Sequence, residues 1–235
     1  MAIADNVADV RARIEAAALR AGRDPLTVAL MAVTKTFPPE SIKQAYGAGI
    51  RIFGENRVQE FAGKVEALRD LTDADWHLIG HLQTNKSAKV VELFSAVDSL
   101  DSMKLANKLN GVAEAAGKTL PVLIEINIGG ERAKAGVTSG STELEEILFA
   151  SPSWNHLAIR GLMTVPPYTE NPADARPFFR RLREIRDQIA ARSLPSVSMD
   201  ALSMGMSHDF EVAIEEGSTC VRVGTAIFGQ RGSTT

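Results

Sequence analysis

Eight short runs rich in apolar and β-branched residues recur along the chain, each followed by a stretch of helical periodicity or by a turn. This alternation narrows the fold more than any other feature. The runs are VALMAVTK (28–35), IRIFG (50–54), WHLIG (76–80), AVDSL (96–100), PVLIEIN (121–127), IRGLMTV (159–165), VSMDALSM (197–204) and TCVRVGT (219–225). Helical stretches are expected between them over 40–48, 57–69, 85–94, 103–116, 142–149, 173–191 and 208–216. Pro38 and Pro39 suit a first helical turn, and Gly49 suits a helix end. One more helix is expected over 2–21, where Val7, Val10, Ile14 and Leu19 recur at roughly helical spacing before Gly22. Doubly wound sheets usually stop near about six strands, so eight such units predict an α/β fold of the (β/α)8 TIM-barrel type. No Pro/Ser/Gly-rich linker interrupts the pattern, so residues 1–235 read as one domain, with 1–22 as an added N-terminal helix.

Composition removes several functional classes. Lys and Arg number 26 against 29 Asp and Glu, a net charge of −3 with no basic stripe, which argues against a nucleic-acid binder that works by neutralising phosphates. Cys220 is the only cysteine and has no partner for a disulfide, so a reducing, cytoplasmic setting is expected. The first residues lack a signal-peptide core and no 18 apolar residues run together, so no membrane association is expected.

In a barrel, chemistry is assembled at the C-terminal ends of the strands. Lys35 closes the first run, Asn56 follows the second, His81 the third, and Asn127 closes the fifth. Strand alternation puts Met31, Val33 and Lys35 on one face, so the Lys35 amine is expected at the barrel mouth, where desolvation lowers an amine's pKa as a Schiff-base lysine requires. A strand-end lysine reaching out to water is the ordinary alternative. Gly205, Ser207, Gly224 and Thr225 lie after the last two runs and have the composition of a phosphate cradle; either cluster alone is more often just a turn with capping residues. Arg222 alternates with Val221 and Val223, so it points into the barrel if the valines face helices; an ion pair with Glu125 is the competing role. Asp98, Glu125, Arg160 and Asp200 are expected to form a buried ion-pair network in the lower barrel. The RRLREIRDQIAAR stretch is expected to be a solvated helix face with i,i+4 pairs. His77 and His81 straddle a strand end, without the helical spacing of a zinc site, so no metal is expected.

Taken together, VTKT (33–36), FGENRVQE (53–60), WHLIGHLQTNK (76–86), GLM (161–163), LSMGMSHDFEVAI (202–214) and VRVGTAIFGQR (221–231) resemble the YggS/PROSC family, the pyridoxal phosphate homeostasis proteins. The resemblance is collinear over essentially the whole chain. It implies a barrel of the alanine-racemase N-terminal type that carries pyridoxal 5′-phosphate (PLP) as an aldimine on Lys35. By similarity, Ser207, Gly224 and Thr225 would hold the phosphate, Arg222 would face the pyridine nitrogen and Asn56 would lie beside the ring. Members of the family are described as binding PLP and handing it on, without an established enzymatic activity, so a carrier or buffer in vitamin B6 homeostasis is expected, with apo-PLP enzymes as partners. A monodomain amino-acid racemase is the alternative. Racemases of this barrel type add a second domain and a tyrosine acid/base from a partner subunit. Of Tyr46 and Tyr168, only Tyr168 is placed to serve as such an acid, and with no second domain a monomer is expected. A third reading is an aldolase-like barrel that uses Lys35 directly on a phosphorylated carbonyl compound.

Overall fold

The computed structural model describes residues 2–131 and 135–230; Met1 and Arg231, which belong to the stretches considered above, lie outside them. The chain opens with α1 (Ile3–Arg20), whose buried Val7, Val10, Ile14, Ala17 and Ala18 recur on one helical face. Gly22, at φ +66°, ends this helix, because a left-handed residue there lets the Arg23 amide bond back to the Ala18 carbonyl.

The strand and helix units then follow: β1 (Ala29–Val33), α2 (Pro39–Gly47), β2 (Ile52–Glu55), α3 (Val58–Ala62), β3 (Asp75–Leu78), α4 (Ser87–Leu93), β4 (Ala96–Leu100) and α5 (Met103–Ala115). The second half comprises β5 (Leu120–Asn127), the two-residue β6 (Val137–Thr138), α6 (Thr142–Ala150), β7 (Leu157–Met163), α7 (Arg176–Ala190), β8 (Val197–Met206), α8 (Phe210–Glu215), β9 (Cys220–Val223) and α9 (Thr225–Phe228). Every pairing is parallel. β1 pairs with β2 on one side and with β9 on the other, and β4 pairs with β5, so eight strands close into a ring. β6 pairs only with the end of β5. The molecule is a (β/α)8 barrel with an N-terminal helix.

Alternation along β1 separates two apolar layers. Ala32 joins the large cluster between strands and helices, with Phe53, Trp76, Val221 and Val223, whereas Met31 and Val33 are buried outside that cluster, within the ring. The N-terminal helix is fastened to the closing elements of the barrel. Asn6 donates to the Ile227 carbonyl at 2.8 Å, Arg13 to Glu211 at 2.7 Å, and Arg23 to the carbonyls of Ile214 and Ser218.

Several expectations change. The helix expected over 57–69 is α3 followed by a 3-10 turn at Val65–Leu68, and at the break between them Lys64 meets the carboxylates of Glu55 and Glu60. The helices expected from 85 and 173 each begin with a 3-10 turn, Thr84–Lys86 and Pro172–Ala175. The stretch read as the end of the eighth strand enters α9. Arg176, Arg180 and Arg183 do not simply line a solvated face: all three converge on Glu216, whose side chain is almost fully buried beside α8.

The ion-pair network expected from Asp98, Glu125, Arg160 and Asp200 does not form, since Arg160 and Asp200 are exposed. Asp98 is buried and meets His77 Nδ1 at 3.0 Å, while Asp75 takes His77 Nε2 at 3.3 Å. Burial opposes protonation of His77, but the two carboxylates overcome it and push its pKa up to about 10. A histidine whose pKa is raised on folding stabilises fully below its unfolded value of about 6.5, and loses that contribution as pH climbs through its folded value. The stability advantage of the parent over His77→Gln, measured by urea unfolding, is therefore expected to amount to a few kcal/mol near neutrality. It should shrink as pH rises towards about 10. An advantage independent of pH would show that the imidazolium is not the stabilising species.

Candidate functional site

A cavity of about 330 Å³ opens at the C-terminal ends of the strands, and its lining includes Lys35, Asn56, Ser207, Arg222, Gly224 and Thr225. These six lie as far apart in sequence as residues 35 and 225, on the ends of strands and the segments that follow them, and the ring closure between β1 and β9 brings them together. Lys35 lies beyond the last residue of β1, in a turn rather than in the strand, and is half-buried. Val33, two residues before it, lines the same cavity, as the alternation requires.

Arg222 is the most buried charge at the site, 3 % exposed. Its Nη1 donates to Ser203 Oγ and its Nη2 to the Thr164 carbonyl, each at 2.7 Å. Both partners are neutral, so the competing ion pair with Glu125 is not what holds it: among the described residues Arg222 meets no carboxylate within bonding distance. Burial lowers the Arg222 pKa, with more distant Asp98, Glu125 and Asp209 opposing the shift; a guanidinium titrates so high that it stays charged. Burial also pushes Glu125 up to about 7, and neighbouring Asp101 adds to the shift.

Across the cavity, Ser207 Oγ accepts hydrogen bonds from the amides of Gly224 (3.2 Å) and Ala226 (3.3 Å). With its lone pairs so engaged, the hydroxyl proton is the part left to donate. Two glycines make this packing possible. Gly205, at φ +92°, sits where a β-carbon would lie 2.5 Å from Ala213 Cβ, so the end of β8 rests directly on α8. At Gly80 a β-carbon would lie 2.3 Å from the Asn56 carbonyl oxygen, so the backbone beside Asn56 needs a glycine as its neighbour.

The remaining lining is Val33, Phe37, Ile79, Val165, Met206 and His208. Apart from Val33, these were not singled out from the sequence. Apolar residues just past strand ends carry no signal that distinguishes a cavity wall from a loop, although Phe37 stacks on Phe228 with ring centroids 4.6 Å apart. Tyr168 does not enter the cavity. It is 80 % exposed and stacks beside His208, so an acid acting inward from this position is ruled out in this arrangement. His81 pairs with Asp101, and Asn127 donates to the Glu131 carbonyl; neither lines the cavity. A second cavity, about 350 Å³, opens at the other end of the barrel between His77, Asp98 and Cys220, the end where barrels hold stability rather than chemistry.

The model of the alanine racemase N-terminal domain family matches residues 2–232. The pyridoxal phosphate homeostasis protein of Aquifex aeolicus is 46 % identical over 227 residues, covering 97 % of each chain. That of Escherichia coli is 43 % identical over 232 residues, again covering 97 % of each. This chain belongs to the pyridoxal phosphate homeostasis protein family. Among solved structures, the family member PipY of Synechococcus elongatus, with PLP bound, matches with a TM-score of 0.81 at 35 % identity, over 97 % of this chain and all of that one. Alanine racemase of Clostridium difficile shares the fold alone, with a TM-score of 0.69 at 14 % identity, and this chain spans 58 % of it.

The lining of the cavity depends on Arg222 being satisfied within the barrel. Ser203→Ala removes an acceptor from a buried guanidinium and is expected to cost about 1–3 kcal/mol in urea unfolding, because the orphaned donor bears its desolvation penalty. Unchanged stability would mean that water replaces the hydroxyl freely.

Proposed function

We propose that this chain binds PLP in the cavity at the barrel mouth, with Lys35 as the anchor for its aldehyde carbon, and acts in PLP homeostasis as a carrier or buffer. The observation that carries this reading is the charge of the lining: Lys35 and Arg222 face the cavity and, among the described residues, no Asp or Glu does. Such a site suits a phosphorylated ligand, since cations without competing carboxylates favour a dianion. PLP, when bound, supplies an aldehyde that takes a primary amine and a pyridine ring that withdraws electrons.

The chain's residues divide the ligand between them. Ser207 and Thr225 offer hydroxyl donors to the phosphate, and Gly224 lets the backbone approach it, in the loops where barrels commonly place phosphate. Arg222, held rigidly by Ser203 and Thr164, offers a cation to the pyridine nitrogen and so disfavours its protonation. Asn56, which lines the same cavity, would lie beside the ring. The same arrangement supports a role without turnover: an unprotonated pyridine is a weaker electron sink, and Tyr168 faces solvent rather than the cavity. The whole chain serves as one PLP-binding barrel domain.

Lys35→Ala is expected to leave a folded protein that no longer shifts the absorbance of added PLP, because the substitution opens only the barrel mouth. An unchanged visible spectrum in the folded variant would sink the anchor assignment. The pair Ser207→Ala and Thr225→Val should weaken PLP far more than pyridoxal, each lost charge-assisted bond being worth roughly 1.5–3 kcal/mol. Equal weakening of the two ligands would place the phosphate elsewhere.

A further inference from the structure

The turn that carries Lys35 is held from both sides by one buried ionic cluster. Glu55 lies two residues beyond Phe53 on β2 and so shares its outward face, between the barrel and its helices, where it is fully buried. A carboxylate there requires partners. Thr34 Oγ1 donates to Glu55 Oε1 at 2.8 Å, and Lys64 Nζ, with its side chain only 12 % exposed, reaches the same oxygen at 3.1 Å.

Lys64 does two more things. Its ammonium donates to Glu60 Oε1 at 2.7 Å and to the Thr34 carbonyl at 3.1 Å. Glu60 Oε1 in turn accepts the Thr36 amide. The residue before Lys35 is therefore tied through its carbonyl, and the residue after it through its amide, to the same lysine and glutamate pair. The tie opposes a real cost. Thr36 sits at φ +69°, a left-handed conformation that a β-branched residue adopts only when its surroundings enforce it. Lys64 is available because α3 stops at Ala62, so the broken helix described above is what delivers the ammonium to the turn.

We propose that Lys64 and Glu60 are positioning residues, which clamp residues 34–36 in a strained turn and so fix where the Lys35 amine enters the cavity. This rests on the reading that Lys35 anchors PLP, and the clamp acts through Lys35 rather than on the ligand. Holding an amine at one approach geometry favours attachment to an aldehyde without changing the affinity of a ligand that lacks one. Glu55 serves as the buried floor of the cluster: burial pushes its carboxyl up, and the Lys64 charge opposes the shift.

The test compares PLP with pyridoxamine 5′-phosphate, which fills the same space but carries an amine in place of the aldehyde. Titrations use the full-length parent, Lys64→Met and Glu60→Ala; the last removes a half-exposed side chain and keeps the comparison open if Lys64→Met folds poorly. Losing one charge-assisted bond at the turn is expected to weaken PLP about tenfold while leaving pyridoxamine 5′-phosphate unchanged. Glu60→Gln, which keeps an acceptor for the Thr36 amide, should fall nearer the parent. Equal weakening of both ligands, or no change in either, overturns the clamp. Amide exchange of the ligand-free protein provides a readout that does not depend on the cofactor. The Phe37 amide, which closes the turn on the Thr34 carbonyl at 3.1 Å, should exchange faster in Glu60→Ala, and an unchanged rate overturns the clamp. If the parent itself fails to attach PLP, the anchor reading falls, and the exchange result still decides whether the clamp exists.

Discussion

The parallel pairing of β1 with β9 is the constraint on which the site depends. It sets Met31 opposite Arg222 and Ala32 opposite Val223, so the turn after β1 rises beside the turn after β9. Lys35 therefore lines one cavity with Gly224 and Thr225 although about 190 residues separate them. The same closure turns Arg222 inward, because Val221 and Val223 are taken by the helical layer. A sheet left open at this seam would keep every strand and lose the cavity.

Charge at the barrel is arranged in separate compartments. The mouth holds Lys35 and Arg222 with no acid among the described lining residues, which suits a phosphorylated ligand. The layer beneath the helices holds Glu55, Glu60 and Lys64, which compensate one another while gripping the backbone on both sides of Lys35. At the opposite end, His77 lies between Asp75 and Asp98, which favour its protonated form. The buried charges are thus held differently in each layer: neutral acceptors satisfy Arg222, whereas carboxylates meet Lys64 and His77.

Much of this was legible in the residues. The eight strands could be read because each is a short β-branched run between helical stretches, and the inward faces of Lys35 and Arg222 followed from alternation with Met31, Val33, Val221 and Val223. What could not be read were pairings set by folding. Lys64 looks like any helical lysine until α3 breaks two residues earlier, and Asp98 meets His77 across adjacent strands rather than Arg160. Three of the five arginines of α7 converge on Glu216 because of how that helix packs on α8, a relation no local spacing encodes. Tyr168 follows β7 closely enough to suggest an inward acid, yet its loop carries it out beside His208.

The central claim is that one amine, that of Lys35, anchors the cofactor at this mouth. Borohydride reduction of the PLP-treated protein, followed by proteolysis and mass mapping of the modified peptide, tests it most directly. The expected result is a single stoichiometric phosphopyridoxyl label on the peptide that contains Lys35. A label on other lysines with Lys35 unmodified, or no label at all, would contradict it.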